Sequence, residues 1–467
     1  MGVLSLPCIA CVASRSQGTA LAPHNRVAGC RKERRGALTV VASSPGSDGH
    51  SARREISARE GYFRLFSNVN EATLKHEPGF LVSAIFLVAG TTIGAGVLAI
   101  PAVTEESGFA ASSLTCSICW LYMVATGLLV AEVNVSTMCE LGSGGVSIVS
   151  MAERTLGAIG VRFASLAYLF IHYALLVAYV ARSADIISNA SGAPLWASAL
   201  LFTGIFGGLC YSGSQRIIGA FNGALVLGII ASFISLVAVS TGYIEPELLL
   251  RANFAAVPRS VPVIALAFVY QNVVPVICTN LEGDLKKIRT AIVAGTAIPL
   301  AMFIVWDAVI LGSVYPGAGN SSLSDPLMQL RSQSGIISPL VEVFSLLAIT
   351  TSYIGFVLGL SDFVADLLKL PGGGSRKPLP YAVTLLPPAA LALLSPDIFF
   401  KALDFAGAYG VLVLFGILPA SMAWSQRYST SSLPAVPPMV PGGRLALGVM
   451  ITGAGFIITT QFLSTFS

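Results

Sequence analysis

Long apolar stretches separated by short polar segments recur along this chain from residue 80 almost to its C-terminal end. Each stretch is close to the roughly 20 residues that an α-helix needs to cross the hydrocarbon core of a bilayer. The pattern therefore predicts eleven transmembrane helices, which we number span 1 to span 11. Span 9, which contains Pro387 and Pro388, is the least regular of them. The predicted spans cover residues 80–101, 109–131, 161–188, 195–211, 219–241, 261–280, 288–313, 338–368, 379–394, 398–424 and 445–463.

Span 1 carries a block of small residues at its centre, from Ala89 to Gly96. Only Ile93 in this block is large, and three of its residues are glycines, each about 1 kcal/mol less favourable than alanine in a helix interior. This composition predicts a break in the helix halfway across the membrane. Unwound backbone is tolerated at that depth where it lines a cavity, which makes the break a candidate binding site. Small residues also let neighbouring helices approach closely, and span 1 alone leaves both interpretations open.

Span 6 contains a second interruption, where Tyr270, Gln271 and Asn272 are followed by Pro275. Proline removes a backbone donor and clashes with the preceding turn, and polar side chains inside the membrane need partners. Spans 1 to 5 and spans 6 to 10 form two sets, and the first helix of each set is interrupted. Because each set has an odd number of spans, the second set starts from the opposite side of the membrane. This arrangement predicts an inverted repeat with a substrate site between the two breaks. The predicted units are repeat one (80–241), repeat two (261–424) and span 11 (445–463) as an extra helix, within a membrane domain of residues 80–467.

The composition agrees with a polytopic membrane protein. The chain is 54% hydrophobic and 11% charged, whereas soluble domains carry about 25% charged residues. Lysine and arginine are more frequent in the loops on the side of the N-terminus than in the opposite loops. By the positive-inside rule this places the N-terminus in the cytoplasm, or in the stroma of a plastid.

Residues 1–60 differ in composition from the rest of the chain. Basic residues outnumber acidic ones and serine is scattered throughout, which is typical of an organellar transit peptide. A secretory signal is the alternative, although no basic residue precedes the short apolar stretch near the start. We interpret 1–60 as a transit peptide with a flexible tail, and 61–79 as an amphipathic linker.

The breaks offer a binding site made of backbone groups. A half-helix that starts near Gly96 points its amides and the positive end of its dipole at the break, while the half that ends near Gly90 leaves carbonyl oxygens without partners. Such a site can hold a carboxylate and an ammonium group. No Asp, Glu, Lys or Arg lies in either break, which favours a zwitterion and hence an amino acid. The candidate contacts in the breaks are Thr91, Gly94, Ala95, Gly96, Tyr270, Gln271 and Asn272.

Side chains in spans 3 and 8 could complete this site. Tyr168 and His172 belong to a polar stripe at helical spacing along span 3, and polar residues in a span normally face the interior of the bundle. A lone histidine is more often a hydrogen-bonded structural residue, so both roles stay open for His172. In span 8, the hydroxyl of Ser352 could face the first break.

Ion coupling has candidates of two kinds. Glu132 at the end of span 2 and Asp307 in span 7 are acidic groups in or bordering the membrane, where ionisable residues are functional candidates by default. Together with His172, they could take up and release a proton during transport. Sodium is the alternative, because Thr351 and Ser352 could bind it together with carbonyl oxygens of the first break.

The sequence gives little support to a membrane-embedded enzyme. The string DFVAD has an acidic spacing found in membrane prenyltransferases, but a second acidic cluster to hold magnesium and diphosphate is missing. There is no HExxH motif, and His172 is the single histidine in the predicted spans, which cannot build a histidine-rich metal site. We therefore expect no enzyme activity, no cofactor, no metal site and no nucleic-acid partner.

Several strings resemble the tryptophan/tyrosine permease family, the hydroxy and aromatic amino acid permeases. They are GTTIGAGVLAIP, EVN, GDLKKIRTAI, LAITTSYIGFVLGLSDFVAD and LDFAGAYGVLVLFGILPA, in this order. The resemblance implies eleven helices, a leucine-transporter-like inverted repeat, and proton symport of aromatic amino acids. With the transit-like tail, it leads us to expect tyrosine as the substrate and the chloroplast inner envelope as the membrane. A carrier of another neutral metabolite is the alternative. The sequence departs from the family pattern at Glu105, Glu106 and Asp307.

Overall fold

The computed structural model describes residues 80–141, 146–313, 337–368, 378–395, 398–429 and 436–466. Throughout these ranges the regular structure is helical, and they contain no β-strand. The predicted transit peptide and linker, residues 1–60 and 61–79, lie outside the described residues. The all-α prediction is therefore confirmed for the membrane domain.

Helices occupy all eleven predicted positions. In the described part of the chain, nine helices are long and apolar enough to cross a membrane, and the two halves of span 1 form a tenth candidate bent by 53°. Span 9 is an apolar helix of 17 residues. The helices are Leu81–Thr92 and Gly96–Thr104 (span 1), Phe109–Leu141, Ile148–Ser191, Leu195–Ser212, Gln215–Ser240, Val257–Ala267 and Val274–Asn280 (span 6), Leu285–Ser313, Ile337–Leu367, Pro378–Leu394, Phe399–Tyr428 (span 10) and Gly443–Phe466.

Spans 3 and 10 contain irregularities that the hydropathy pattern did not reveal. Span 3 begins at Ile148, where the Ser147 hydroxyl accepts a hydrogen bond from the Ser150 amide, and its backbone is non-helical at Gly157 (φ 66°). The predicted start at residue 161 is therefore too late, because the helical segment from Ile148 to the interruption at Gly157 precedes the part that crosses the membrane. In span 10, Ala406–Ile417 is wound as a π-helix, and π-helical turns are frequent at functional sites.

The packing of the spans follows the scheme that a five-plus-five repeat predicts. Span 1 packs on span 7 as span 6 packs on span 2, and span 3 packs on span 10 as span 8 packs on span 5. The pair of spans 3 and 4 likewise corresponds to the pair of spans 8 and 9. Exchanging each span with the one five positions away thus reproduces these contacts. This symmetry supports the predicted repeats, whose boundaries stay a prediction.

Large apolar side chains cover the periphery. Trp196, Leu227 and Phe456 on spans 4, 5 and 11 are all more than half exposed. A contiguous apolar surface of this kind is unusual on a soluble monomer and is what a lipid-facing surface requires. The peripheral spans therefore provide the contact with lipid, whereas the second half of span 1 and most of span 6 lie inside.

Candidate substrate site

The first break lies at Ile93–Ala95, between the two half-helices of span 1. The amide of Ala95 donates a hydrogen bond of 3.0 Å to Ser352 Oγ in span 8. A Cβ atom at Gly94 would lie 2.5 Å from the same oxygen, so this close approach requires glycine. The hydroxyl of Thr91 bonds instead within its own helix, to the Leu87 carbonyl at 2.7 Å. The predicted break and its contact with Ser352 are therefore present.

The second break follows Ala267 in span 6 and meets the first. Residues 268–270 are non-helical and Gln271–Val273 form a 3₁₀ turn before the helix resumes at Val274. A Cβ at Gly96 would lie 2.8 Å from Ala267 Cα, so the two interrupted spans touch at this point through backbone. Small residues at the break thus serve close packing as well as unwinding, and the role of the break in binding stays a prediction.

Tyr270 and Gln271 turn away from the first break and toward span 2. The Tyr270 hydroxyl donates to the Met123 carbonyl at 3.0 Å, and Gln271 Nε2 donates to Thr126 Oγ1 at 3.1 Å. The Gln271 Oε1 atom accepts the Tyr270 amide at 3.0 Å. Both side chains are fully buried, and their contacts fix the shape of the break. Of the three polar residues predicted here, only Asn272 is exposed.

One helical turn from the first break, spans 1 and 8 are no longer in close contact. Gly94 and Ser352 are in contact, but one turn closer to the side that carries the N-terminus lie Gly90 in span 1 and Gly355 in span 8. A Cβ at either glycine would meet no atom within 4 Å. Spans 1 and 8 therefore make no close contact at these two positions, and we call the region between them the vestibule.

An aromatic cluster lies on the opposite side of the breaks. The Trp306 ring lies 5.1 Å from Phe344 and 6.1 Å from Phe233 between centroids, and Phe268 at the second break lies 5.1 Å from Phe303. All five side chains are buried. Aromatic side chains of spans 5, 6, 7 and 8 therefore pack together on this side of the breaks.

An aromatic wall between spans 3 and 8 lines the vestibule. The rings of Tyr168 and His172 stack at 3.9 Å between centroids. The His172 ring also lies 4.8 Å from Phe356, whose other neighbour is Tyr179 at 5.8 Å. Tyr179 in turn interacts with Ser352 at the break. Tyr168 and His172 thus belong to the same region as the breaks, and sequence reasoning missed Phe356 because one phenylalanine in an apolar span carries no signal.

Asp307 lies on the side of the aromatic cluster, apart from the vestibule. Its side chain is 1% exposed. Thr104 Oγ1 at the end of span 1 donates to Asp307 Oδ1 at 2.9 Å, and Ser112 Oγ at the start of span 2 donates to Oδ2. Among the described residues no lysine or arginine forms an ion pair with this carboxylate. A buried acidic group held only by hydroxyls thus connects spans 1, 2 and 7.

Glu132 occupies a different environment on the N-terminal side. Arg427 of span 10 binds both carboxylate oxygens, with Nε to Oε1 at 2.7 Å and Nη2 to Oε2 at 2.6 Å. The Met439 amide donates to Oε2 at 2.8 Å. Glu132 is fully buried and Arg427 nearly so. This carboxylate therefore ties spans 2 and 10 to the segment before span 11.

Thr351 makes a local contact only. Its hydroxyl donates to the Leu347 carbonyl one turn earlier, at 2.9 Å. The Ser352 oxygen already accepts the Ala95 amide. The two hydroxyls considered for sodium are thus both engaged within the protein.

Two interrupted helices that meet halfway along their spans, inside a bundle of membrane-crossing helices, characterise secondary transporters. The sequence agrees with this class. The chain belongs to the tryptophan/tyrosine permease family, whose sequence profile matches residues 77–461.

Curated relatives in bacteria match most of the chain. The "Tyrosine-specific transport system 2" of Haemophilus influenzae is 30% identical over 401 residues, which is 81% of this chain and 96% of the relative. "Tyrosine-specific transport system 1" of the same species is 28% identical, over 82% of this chain and 98% of the relative. A "Tryptophan-specific transport protein" of Pseudomonas aeruginosa is 26% identical, over 74% of this chain and 86% of the relative. The family resemblance inferred from the motifs is thus confirmed.

Proposed function

We propose that this protein is a secondary transporter of aromatic amino acids with tyrosine as its main substrate. The observation that carries the proposal is the meeting of the two breaks at Gly96 and Ala267, next to the contact between Ala95 and Ser352. Membership of a permease family and relatives named for tyrosine and tryptophan transport support the substrate class.

The substrate's charged groups bind at the first break. Amides at the start of Gly96–Thr104 attract its carboxylate, and carbonyl oxygens at the end of Leu81–Thr92 accept from its ammonium group. Asn272 is exposed at the second break and offers a further polar contact. The aromatic ring lies in the vestibule beside Phe356. Alternating access then consists of closing the N-terminal side and opening the aromatic cluster around Trp306.

Transport is driven by protons, and Asp307 is the carrier we favour. A carboxylate buried without a paired cation is costly in its charged form, so opening and closing of its surroundings changes its affinity for a proton. Because Thr104 and Ser112 link Asp307 to spans 1 and 2, movement of span 1 would reach it directly. Glu132 is less suited, since Arg427 already engages both of its carboxylate oxygens. Sodium is the alternative ion.

Uptake into liposomes tests this function. The purified protein is reconstituted, a pH gradient is imposed, and accumulation of labelled tyrosine is measured with sodium present or replaced by choline. We expect uptake that a protonophore abolishes and that choline leaves unchanged. Unlabelled tryptophan or phenylalanine should compete better than alanine or leucine. Equal competition by alanine would contradict the aromatic substrate class, and sodium-dependent uptake that ignores the protonophore would contradict proton coupling.

For location, we propose the inner envelope membrane of the chloroplast. Support comes from the basic, acid-poor composition of residues 1–60, which is typical of a transit peptide. The bacterial relatives named above do not bear on this point.

A further inference from the structure

The geometry points to a notch formed by His172, Tyr168 and Gly359 that binds the phenolic hydroxyl of tyrosine and so selects tyrosine over phenylalanine. This inference rests on the proposed transport of aromatic amino acids. It goes further by naming the phenolic hydroxyl as the group on the substrate's ring that the protein recognises.

The first observation is the state of the His172 ring. His172 is 8% exposed, and its Nδ1 atom lies 2.8 Å from the Tyr168 carbonyl oxygen. A carbonyl can only accept, so Nδ1 carries the proton. In the neutral ring Nε2 is then a hydrogen-bond acceptor. No hydrogen bond to Nε2 occurs within the described residues, so this acceptor is available to a ligand.

The second observation is that the Tyr168 hydroxyl approaches the same place. A Cβ atom at Gly359 in span 8 would lie 3.2 Å from Tyr168 Oη and 3.4 Å from His172 Nε2. One acceptor and one hydroxyl that can donate therefore lie within reach of the same point beside this glycine. Tyr168 Oη, like Nε2, has no hydrogen-bond partner in the described part of the chain.

A phenolic hydroxyl matches this pair. It has one proton to donate and lone pairs that accept, so it can donate to His172 Nε2 and accept from Tyr168 Oη. Phenylalanine would occupy the same place with a C–H group and leave both polar atoms unpaired. Sites that bind a substrate hydroxyl in this way reject the analogue that lacks it strongly, because buried polar groups lose their partner.

The position of the notch fits the length of the substrate. Ser352, Gly355 and Gly359 lie on one face of span 8, and Gly355 is exposed to the vestibule. Gly359 is seven residues beyond Ser352, or about 10 Å at the usual helical rise. That distance is close to the length of a tyrosine molecule from its carboxylate to its phenolic oxygen. With the carboxylate at the break, the ring lies along Gly355 and the hydroxyl reaches the notch.

Transport of labelled tyrosine and phenylalanine by the reconstituted full chain tests the notch. Tyr168→Phe and His172→Leu should lower kcat/KM for tyrosine about tenfold more than they lower kcat/KM for phenylalanine. His172→Gln, whose amide oxygen can accept, should restore part of the loss. The matched control is Tyr173→Phe, since the Tyr173 hydroxyl donates to the Val383 carbonyl at 2.9 Å, away from the notch. A change that affected both substrates equally would show a structural role and overturn the inference.

A competition experiment on the unmodified protein needs no variant. O-methyltyrosine keeps the ring and the oxygen but cannot donate to His172 Nε2. We expect it to compete with labelled tyrosine at least tenfold less well than unlabelled tyrosine does. Equal competition by O-methyltyrosine or phenylalanine would overturn the notch and leave the proposed function standing. A wild-type protein that carries no aromatic amino acid would instead contradict the proposed function.

Discussion

The Ser352 hydroxyl oxygen lies 3.0 Å from the Ala95 amide nitrogen and links span 8 to the break in span 1. An amide released by unwinding has no water to bond in the membrane core, so a protein partner stabilises the open backbone. Ser352 also contacts Tyr179 and thereby connects the break to the aromatic wall. The first break and the aromatic wall are thus joined through Ser352.

Gly94→Leu should abolish tyrosine uptake. A Cβ at Gly94 already comes within 2.5 Å of Ser352 Oγ, so a larger side chain must separate spans 1 and 8 and fill the break. The matched control is Gly453→Leu in span 11, where a Cβ meets no atom within 4 Å. Uptake is measured in proteoliposomes at equal protein content. Wild-type uptake by Gly94→Leu would contradict a substrate site at the first break.

Asn272 and Gln271 are adjacent in sequence, but their substitution should have different effects. Asn272→Leu should weaken tyrosine uptake and leave thermal unfolding in detergent unchanged, because Asn272 is exposed at the break. Gln271→Leu should lower the unfolding temperature, because it leaves the buried Tyr270 amide without its partner, and such a loss costs about 1–3 kcal/mol. The reverse pattern would mean that Gln271 and not Asn272 contacts the substrate.

The sequence predicted the architecture because its signals are local. Twenty apolar residues are a span wherever they occur, and a block such as Ala89 to Gly96 weakens a helix through its own composition. These local signals were enough to predict both breaks and all eleven helical positions. The extra segment of span 3 before Gly157 was not predicted, because the hydropathy pattern identifies only the part of a helix that crosses the bilayer.

The side-chain partners at the site were not predictable, since they depend on residues distant in sequence. Tyr270 points toward span 2 because Gly127 leaves room for its ring there. Asp307 is held by Thr104 and Ser112, which lie about 200 residues earlier and are two among many hydroxyls in the spans. Gly359 gains its role only from its distance to the rings of span 3.

Residues 1–60, fused to a fluorescent reporter, should direct import into chloroplasts. The expectation follows from their basic, acid-poor, serine-containing composition. Microscopy of plant cells locates the reporter, and a fusion in which the arginines of the segment are replaced by glutamate is the control. Secretion of the unmodified fusion, or its retention in the cytosol, would reject the plastid location.

Asp307→Asn should uncouple transport from the proton gradient. The amide keeps the size of the side chain and can still accept from Thr104 or Ser112, but it cannot bind and release a proton. We expect accumulation driven by a pH gradient to be lost, while exchange of external labelled tyrosine for internal unlabelled tyrosine continues. Accumulation equal to wild type would show that Asp307 is not the carrier, and loss of exchange as well would assign it a structural role.

Glu132→Gln should act on stability more than on coupling. Glu132 and Arg427 form a buried bidentate pair, and removal of one partner from such a pair typically costs about 3–5 kcal/mol, because it leaves a buried charge unpaired. We therefore expect Glu132→Gln and Arg427→Met each to lower the unfolding temperature in detergent. The double variant should lower the unfolding temperature by less than the sum of the two single decreases, because it leaves neither charge buried and unpaired. The exposed pair of Arg259 and Glu106, 3.6 Å apart, is the matched control and should show a coupling below about 1 kcal/mol.

The same variant separates the two acidic candidates functionally. Protein that remains folded with Glu132→Gln should still accumulate tyrosine in response to a pH gradient, because Glu132 is engaged by Arg427 and the Met439 amide as a structural link. Uptake is measured at a temperature below the lowered unfolding transition, so that loss of folded protein does not imitate loss of coupling. Proton-driven accumulation lost in Glu132→Gln but kept in Asp307→Asn would reverse the assignment and make Glu132 the carrier.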